Sequence, residues 1–428
     1  MLVRFRVANF RSLRGEAELS FVATDSDDVI VRHTGVESGG KEIGIIPAVG
    51  VFGANASGKS NLLHALRTMR AGVLDSVASW ARDRGVPREP FALDPSCRAE
   101  TTLFEVDLLL PGGPRRDGPK VRYTYGFELS DHRVEAEWLH AYPKGTKQVW
   151  FDRDAERGRK GIHFPNENLR GAKEHLVEAT RANALFLTVA ATFDHPQLSP
   201  VHAWFRDNLL MVSSGDDVAK RAEFTIEQLT GKDDDPSYRR RVEALLRLAD
   251  LGILGLDVDS ARPTDQQVRL LHRGRDDKAV PMDLRSQESL GTHAWFAFVG
   301  PVLDRLDNGA VLVADELDSS LHPILAAEVI RLFQDPQSNP HGAQLLFTAH
   351  DATLLGNGAV GRPLSRDQVW ITTKKSSGET ELYPLTDARP RREENLERGY
   401  LRGRYGGVPR VTTGEMAREV AELVVGLA

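Results

Sequence analysis

Alternating apolar and polar positions open the chain and return after residue 100. Residues 2–13, LVRFRVANFRSL, alternate and then reach a polar turn, and AELSFVA continues as a second strand. From Thr101 onward the same alternation recurs in TTLFEVDLLL, VRYTYGFEL, RVEAEWLHAY and QVWFDRD. Because this period is typical of half-buried strands, we expect an antiparallel β-region in the first part of the chain.

The pattern then changes to helical spacing. Residues 168–210 and 236–251 carry apolar positions at helical intervals, with the polar break TGKDDDPS between them. LGILGLDVD and QQVRLLHRG return to strand character, and a further helix follows ESLGT. We find no 20 to 50-residue repeat and no sustained heptad run, so the pattern indicates an α/β protein without a coiled-coil arm.

The stretch VGVFGANASGKSNLLHAL, residues 49–66, carries the pattern GxxxxGK[ST] between an apolar strand and a helix. Glycines let backbone N–H groups turn towards an anion, and the helix start adds its positive dipole end. The alternative is a plain Gly/Ser turn with a surface lysine, which the strand and helix context disfavours. We expect ATP to be bound here by Gly53, Asn55, Ser57, Gly58, Lys59, Ser60 and Asn61, with the Ser60 hydroxyl on Mg²⁺.

Two later strands end in residues suited to the same site. In GAVLVADELDSSLHP an apolar strand ends in Asp315, which would hold Mg²⁺ through water, and Glu316, which would act as the general base. In AQLLFTAHD another strand ends at His350, which would sense the γ-phosphate. Carboxyl ends of strands are where α/β sheets bind ligands, so these residues are expected to meet the phosphate loop.

A second anion-binding helix start is predicted at QESLGTHAWF. Ser289 and Gly291 directly precede an apolar helix there. One nucleotide site has no need of two such cradles on one side of a γ-phosphate. The pattern therefore predicts a dimer in which each chain completes the other's site.

Composition narrows the class of protein. The formal net charge of −6 disfavours a globally basic nucleic-acid binder. The single cysteine, Cys97, excludes a disulfide framework or a CxxC zinc site, and we interpret it as incidental. No apolar run approaches the roughly 20 residues of a membrane span, and MLVRFRVANF predicts a strand rather than a signal peptide. We expect a soluble, cytoplasmic protein with no membrane partner.

The order of these motifs resembles the ABC-type heads of SMC-like and RecF-like ATPases. More closely, GANASGKSNLL, ESLGT, ADELDSSLHP, QLLFTAHD and YLRGRYGGVP resemble the ABC-like AAA ATPases of abortive-infection, restriction-linked and PARIS-type phage-defence operons. The resemblance implies an ABC-type P-loop ATPase head with an antiparallel β-subdomain and a helical insertion between the Walker A and signature motifs. The implied division is a first lobe, a mainly helical insertion, a second lobe and an Arg-rich segment, at residues 1–160, 161–280, 281–388 and 389–428.

The resemblance also implies roles for single residues. Lys59, Glu316 and His350 would be catalytic, with His350 as the switch, while Asp318 would communicate across the dimer interface. Ser289 and Gly291 of one chain would close on the nucleotide of the other, and Arg11 and Ser12 in NFRSL match a nucleotide-contacting position. Two departures stand out: Leu290 replaces a glycine of the transporter signature, and no glutamine loop is identified.

The implied function is that of an ATP-hydrolysing sensor in an antiphage defence complex. It would form a homodimer or higher oligomer through ATP-bridged heads and control a separate nuclease-type effector encoded nearby. The alternatives are a RecF-like DNA clamp and a scaffold with a silent site, the latter disfavoured by Lys59 and Glu316.

Several other polar residues have two interpretations each. The arginines of residues 389–410 would grip nucleic acid or an acidic partner, or form a solvated face. Asp257 and Asp259 would be a nuclease carboxylate pair or, as we prefer, a strand end, and His322 a loop-packing residue rather than a metal ligand.

Overall fold

The computed structural model of this 428-residue chain describes residues 1–24, 30–80, 85–112, 118–157, 161–213, 218–232, 235–250, 252–275, 277–319, 321–358, 360–391, 393–409, 411–412 and 414–425. Its strands are β1 (Leu2–Ala8), β2 (Ala17–Ser20), β3 (Arg32–Ser38), β4 (Lys41–Ile45), β5 (Ala48–Gly53), β6 (Thr102–Pro111), β7 (Lys120–Leu129), β8 (Val134–Tyr142), β9 (Gln148–Asp154), β10 (Ile162–His163), β11 (Leu209–Ser213), β12 (Ile253–Val258), β13 (Val268–Arg273), β14 (Ala279–Asp283), β15 (Val311–Asp315), β16 (Gln344–Ala349), β17 (Val369–Lys374) and β18 (Thr380–Pro384).

The α-helices are α1 (Lys59–Ser79), α2 (Glu174–Ala179), α3 (Phe186–Thr192), α4 (Ser199–Asp207), α5 (Val218–Gly231), α6 (Pro236–Ala249), α7 (Leu290–Asn308), α8 (Pro323–Gln334), α9 (Leu396–Leu401) and α10 (Glu415–Val425). Short 3₁₀ helices lie at Pro95–Arg98, Pro143–Gly145, Thr264–Gln266, Ala352–Leu355, Arg366–Gln368 and Leu385–Ala388.

The first sheet is the predicted antiparallel β-region. Its seven strands run in the order β10-β9-β8-β7-β6-β1-β2, and every neighbouring pair is antiparallel. β1 alternates between buried and half-buried side chains, which matches the pattern of LVRFRVA. The β-region predicted from the alternation is therefore confirmed.

The second sheet holds the strand ends predicted to form the site. Its order is β11-β15-β16-β5-β17-β18, parallel except for the final hairpin of β17 and β18. All six residues of β5 are buried, as expected for a central parallel strand. The register sets Ser213 beside Asp315 and Gly53 beside Thr372, so these strand ends lie along one edge.

Two apolar clusters cover the opposite faces of this second sheet. Val49 and Val51 of β5 belong to the cluster that includes α1 and the first sheet. Ala48 and Phe52 belong to the cluster that includes α7 and α8. Because side chains alternate along a strand, one strand anchors both cores and fixes the start of the loop that follows it.

The segment predicted as a helical insertion contains α2 to α6 and also several strands. β11 joins the edge of the second sheet, while β12, β13 and β14 form a separate three-stranded antiparallel sheet. Outside this segment, β3 and β4 pair as a hairpin. The α/β fold class and the helical insertions are confirmed, whereas the boundaries at residues 160, 280 and 388 stay predictions. No helix in the described part of the chain is long and apolar enough to cross a membrane.

Candidate functional site

The phosphate loop, Gly53–Ser60, joins β5 to α1. Ala56 and Gly58 have positive φ angles of 61° and 108°, and the Ser57 N–H donates to the Ala54 carbonyl at 3.1 Å. Gly58 precedes α1 without any side-chain cap. The first N–H groups of α1 are therefore not taken by a capping side chain and suit an anion.

The Lys59 ammonium lies against the loop that precedes it. Its Nζ donates to the Gly53 carbonyl at 2.7 Å and to the Ala54 carbonyl at 3.2 Å. Burial lowers the pKa of Lys59, while the nearby carboxylates Asp318, Glu316 and Asp315 act in the opposite direction. A phosphate oxygen could replace either carbonyl as the acceptor, so the lysine fits a nucleotide.

Ser60, Asp315 and Thr348 form a hydrogen-bonded chain beside the loop. The Ser60 hydroxyl donates to Asp315 Oδ1 at 3.1 Å, and the Thr348 hydroxyl donates to the same oxygen at 2.6 Å. The Glu316 N–H in turn donates to the Thr348 hydroxyl at 2.7 Å. Hydroxyl and carboxylate oxygens are the ligands that Mg²⁺ prefers, and Mg²⁺ usually keeps several waters, so the donor set fits this ion.

The predicted switch residue, His350, is hydrogen-bonded to Asp318 of the same chain. Asp318 Oδ2 accepts from the backbone N–H of His350 at 2.9 Å and from that of Asp351 at 2.7 Å. The His350 ring nitrogen Nδ1 lies 3.4 Å from the same oxygen, and its side chain is half exposed whereas that of Asp318 is buried. The structure thus brings these two predicted residues together within one chain.

Arg11 and Ser12 lie near the loop but are bonded to protein groups. The Arg11 guanidinium pairs with Glu89, with an Nε to Oε2 distance of 2.9 Å. The Ser12 hydroxyl accepts from the Asn61 side-chain amide at 2.7 Å, and Asn55 is exposed at the loop tip. The nucleotide contacts predicted for these residues stay predictions.

Two threonines that support the loop were not predicted from the sequence. The Thr372 hydroxyl lies 2.6 Å from that of Ser57, and the Thr380 hydroxyl donates to the Ser57 carbonyl at 2.7 Å. A Cβ on Gly53 would lie 2.2 Å from the Thr372 hydroxyl, which explains the glycine there. Thr372 and Thr380 come more than 300 residues after the loop, without a spacing signal.

The glutamine-loop residue stays unassigned, and one strand end at this edge was not predicted from the sequence. Ser213, at the end of β11, pairs in register with Asp315. It is therefore the neighbour of Asp315 on the side away from β16. Its strand was not predicted, because a short apolar strand is not distinguishable from a helix segment by periodicity.

The predicted signature residues lie at an exposed helix start. The Ser289 side chain caps α7 by accepting from the Thr292 N–H at 3.1 Å, and its hydroxyl lies 2.9 Å from that of Thr292. Leu290 is 88% exposed, and among the described residues beyond the chain neighbours and the helix backbone a Cβ built on Gly291 meets only the Ser289 hydroxyl, at 3.7 Å. No hydrogen bond between described residues joins Ser289 or Gly291 to the phosphate loop.

The other candidates have structural partners. Asp257 pairs with Arg269, Asp259 pairs with Arg262, and His322 caps α8 by accepting from the Ile324 N–H. Within the described ranges, no group of three or more His, Cys, Asp or Glu could hold a metal ion. Cys97 is buried, Arg391 is exposed, and the predictions for Arg392 and Arg410 lie outside the described residues.

Comparison with known proteins identifies one family. The sequence profile of the family described as "AAA domain, putative AbiEii toxin, Type IV TA system" matches residues 49–356, which include the phosphate loop, Ser289, Glu316 and His350. No curated protein matches the chain.

Similar solved structures include "Crystal structure of the SmcHead bound to the C-winged helix domain of ScpA" at 15% identity, with a TM-score of 0.46 and coverage of 90% of this chain and 99% of that one. A second is "SMC head domain from Thermotoga maritima" at 13% identity, TM-score 0.40 and coverage of 90% and 98%. A third is a Pyrococcus furiosus Smc head domain with an extended coiled coil, bound to the C-terminal domain of ScpA, at 13% identity, TM-score 0.41 and coverage of 91% and 97%.

Proposed function

Because the chain belongs to the AAA family described as putative AbiEii toxins of type IV toxin–antitoxin systems, we propose that it is the ATP-hydrolysing switch subunit of an antiphage defence complex. Two copies close around ATP, and closure holds or releases a separate effector such as a nuclease. The observation that carries the ATPase part is the chain of hydrogen bonds from Ser60 through Asp315 to Thr348. It sets metal-binding and water-activating groups beside the phosphate loop.

Binding of the phosphates is assigned to the loop and to Lys59. The ammonium exchanges its bonds to the Gly53 and Ala54 carbonyls for bonds to phosphate oxygens. The uncapped N–H groups at the start of α1 add the dipole of a 21-residue helix. Thr372 and Thr380 keep the loop in this geometry through Ser57.

Hydrolysis is assigned to Glu316. Magnesium, when bound, supplies positive charge that neutralises the phosphate oxygens. The Ser60 hydroxyl and the Asp315 carboxylate would hold the ion, and the Glu316 carboxylate would accept the proton of the attacking water. Glu316 has a positive φ of 55°, and its N–H bond to Thr348 holds that backbone in place.

The coupling between nucleotide binding and the arrangement of the two copies is assigned to Ser289, Gly291 and Asp318. The exposed start of α7 in one copy closes on the nucleotide held by the other copy. Asp318 binds the backbone at His350, so a change at the site reaches the strand end that follows Thr348. Hydrolysis then acts as a timer for the closed state rather than as metabolism.

A DNA clamp of the RecF type is a second candidate, favoured by exposed arginines near the C-terminus, namely Arg389, Arg391, Arg398 and Arg402. It predicts ATP-dependent DNA binding that weakens with salt and is reduced by Arg391→Glu. Arg240→Glu on exposed α6 is the matched control. Absence of DNA binding at low salt excludes this candidate.

Co-purification tests the leading proposal. The chain is co-expressed with the protein encoded next to it and purified with Mg-ATP as wild type, Lys59→Ala or Glu316→Gln. We expect the amount of the neighbouring protein that is retained to differ between Lys59→Ala and Glu316→Gln. In Lys59→Ala the two copies stay apart, whereas in Glu316→Gln they stay closed around ATP. A neighbour that never associates with any of the three contradicts the defence role.

A further inference from the structure

A turn near the C-terminus lies directly on the phosphate loop. We call residues 400–408, from Tyr400 to Val408, the tyrosine turn. Gly407 has a φ of +72°, and a Cβ built on it would lie 2.9 Å from Ile371 Cγ2 and 3.4 Å from the Gly53 Cα. The backbone of the turn therefore packs on the first glycine of the phosphate loop, with no space for a side chain between them.

Three buried or half-buried tyrosines fasten this turn. The Tyr400 hydroxyl donates to the Gly407 carbonyl at 2.8 Å, and the Tyr383 hydroxyl donates to the Tyr405 carbonyl at 2.9 Å. The Tyr405 hydroxyl donates to Glu394 Oε1 at 2.7 Å. Burial raises the pKa of Tyr400 to about 12, so its hydroxyl keeps its proton and remains a donor at neutral pH.

The helix that leads into the turn packs on the switch loop, which we define as residues 350–356. A Cβ on Gly356 would lie 2.1 Å from Glu397 Oε2, so α9 lies against the end of this loop. The ring of Tyr400 also lies edge-on to Phe52 of β5, with centroids 6.4 Å apart. One short segment thus contacts both the residues before the phosphate loop and the residues after His350.

This placement gives the segment a role in the site. Lys59 donates to the Gly53 carbonyl, and that bond must break when the ammonium turns to a phosphate. Gly53 then keeps its position through its other neighbours, which include Thr372, the Ser57 hydroxyl and the turn at Gly407.

We propose that the tyrosine turn is a positioning element that holds Gly53 in nucleotide-binding geometry and, through α9, links it to the switch loop. The inference rests on the proposed nucleotide binding and names a regulatory contact of that same site. It makes the exposed arginines of the turn, Arg402 and Arg404, reporters of nucleotide occupancy, because they lie on the segment that packs on Gly53. Neither arginine needs to touch the nucleotide for this.

Gly407→Ala tests the contact. The new methyl group meets Ile371, Tyr400 and Gly53 at a positive φ, so the turn must lift from the loop. We expect ATP affinity, measured by titration calorimetry, to fall about tenfold. Gly414→Ala is the matched control, since Gly414 also has a positive φ, of +79°, but nothing within 4 Å of its Cβ.

Trypsin cleavage after Arg402 and Arg404 gives a readout independent of ATP hydrolysis. We expect Mg-ATP to slow this cleavage at least about threefold in the wild type and to have no effect in Lys59→Ala. Cleavage in Gly407→Ala should be faster than in Gly414→Ala and insensitive to Mg-ATP. Tyr400→Phe, which removes only the bond to the Gly407 carbonyl, should shift affinity and cleavage in the same direction by about two- to threefold.

The outcomes separate this inference from the proposed function. If the wild type binds ATP and Lys59→Ala does not, but Gly407→Ala and Tyr400→Phe both bind as the wild type does, the tyrosine turn has no positioning role. The inference is also overturned if Mg-ATP does not change the rate of cleavage in the wild type. If Gly407→Ala does not fold, wild-type affinity in Tyr400→Phe overturns the inference. If the wild type binds no ATP, the proposed function itself is wrong.

Discussion

The two helix starts predicted to bind phosphate, those of α1 and α7, are built in opposite ways. α1 begins without a side-chain cap, and its loop is supported by Thr372, Thr380 and the turn at Gly407. α7 is capped by its own Ser289, and Leu290 beside it is 88% exposed. Residues from distant parts of the chain support the start of α1, which suits a ligand. The start of α7 instead lies exposed at the surface.

In the proposed two-chain site, this difference indicates which half one chain supplies by itself. Asp315 and Thr348, at the ends of β15 and β16, are joined to Ser60 of α1 by hydrogen bonds. The exposed start of α7 is accessible to a second molecule. Substitutions at α1 should therefore affect nucleotide binding, and substitutions at α7 should affect only steps that need two chains.

Lys59→Ala should have the largest effect. It removes the ammonium that would bind the phosphates, and a lost charge-assisted contact of this kind weakens ATP binding by about 100-fold. Titration calorimetry measures this, with Lys375→Ala as the control because that exposed lysine pairs with Glu379 and Glu381. An affinity of Lys59→Ala within threefold of the wild type would remove the phosphate-binding role of the loop.

Ser289→Arg should separate binding from turnover. The long cation fills the exposed start of α7 without touching the phosphate loop, so ATP affinity should stay within about twofold while hydrolysis falls about 100-fold. Steady-state ATPase rates and calorimetry give the two numbers. Ser237→Arg places the same side chain at the exposed start of α6 and should hydrolyse ATP normally. Normal turnover by Ser289→Arg would show that the site is not shared.

Thr348→Val should have the smallest effect. It keeps the side-chain shape but removes the donor to Asp315 and the acceptor of the Glu316 N–H. We expect kcat to fall about tenfold and the Mg²⁺ concentration needed for half-maximal rate to rise. The loss in free energy of unfolding should be about 1 to 2 kcal/mol, since the partly buried Glu316 N–H loses its partner. Thr146→Val, at an exposed turn before β9, should change none of these three quantities.

Sequence alone predicts the α1 side of this comparison well. The phosphate loop is a local pattern with fixed spacing, and Asp315, Glu316 and His350 end apolar strands, so their positions follow from sheet geometry. The antiparallel β-region follows in the same way from alternation in β1 and β6 to β9.

The supporting contacts could not be predicted. Thr372, Thr380 and Gly407 reach the loop only because β17, β18 and the tyrosine turn fold back over more than 300 residues. A tertiary contact of this kind leaves no local pattern. β11 was similarly missed within a segment of helical spacing, since five apolar or small residues fit either structure.

The solution mass of Glu316→Gln with and without Mg-ATP tests the central claim most directly. Removing the general base should leave ATP bound and two chains closed around it, and light scattering should then report a mass that doubles with Mg-ATP. Adding Ser289→Arg to this variant should prevent the increase while ATP still binds. If the mass stays that of one chain while ATP is bound, the proposed site shared by two chains is contradicted.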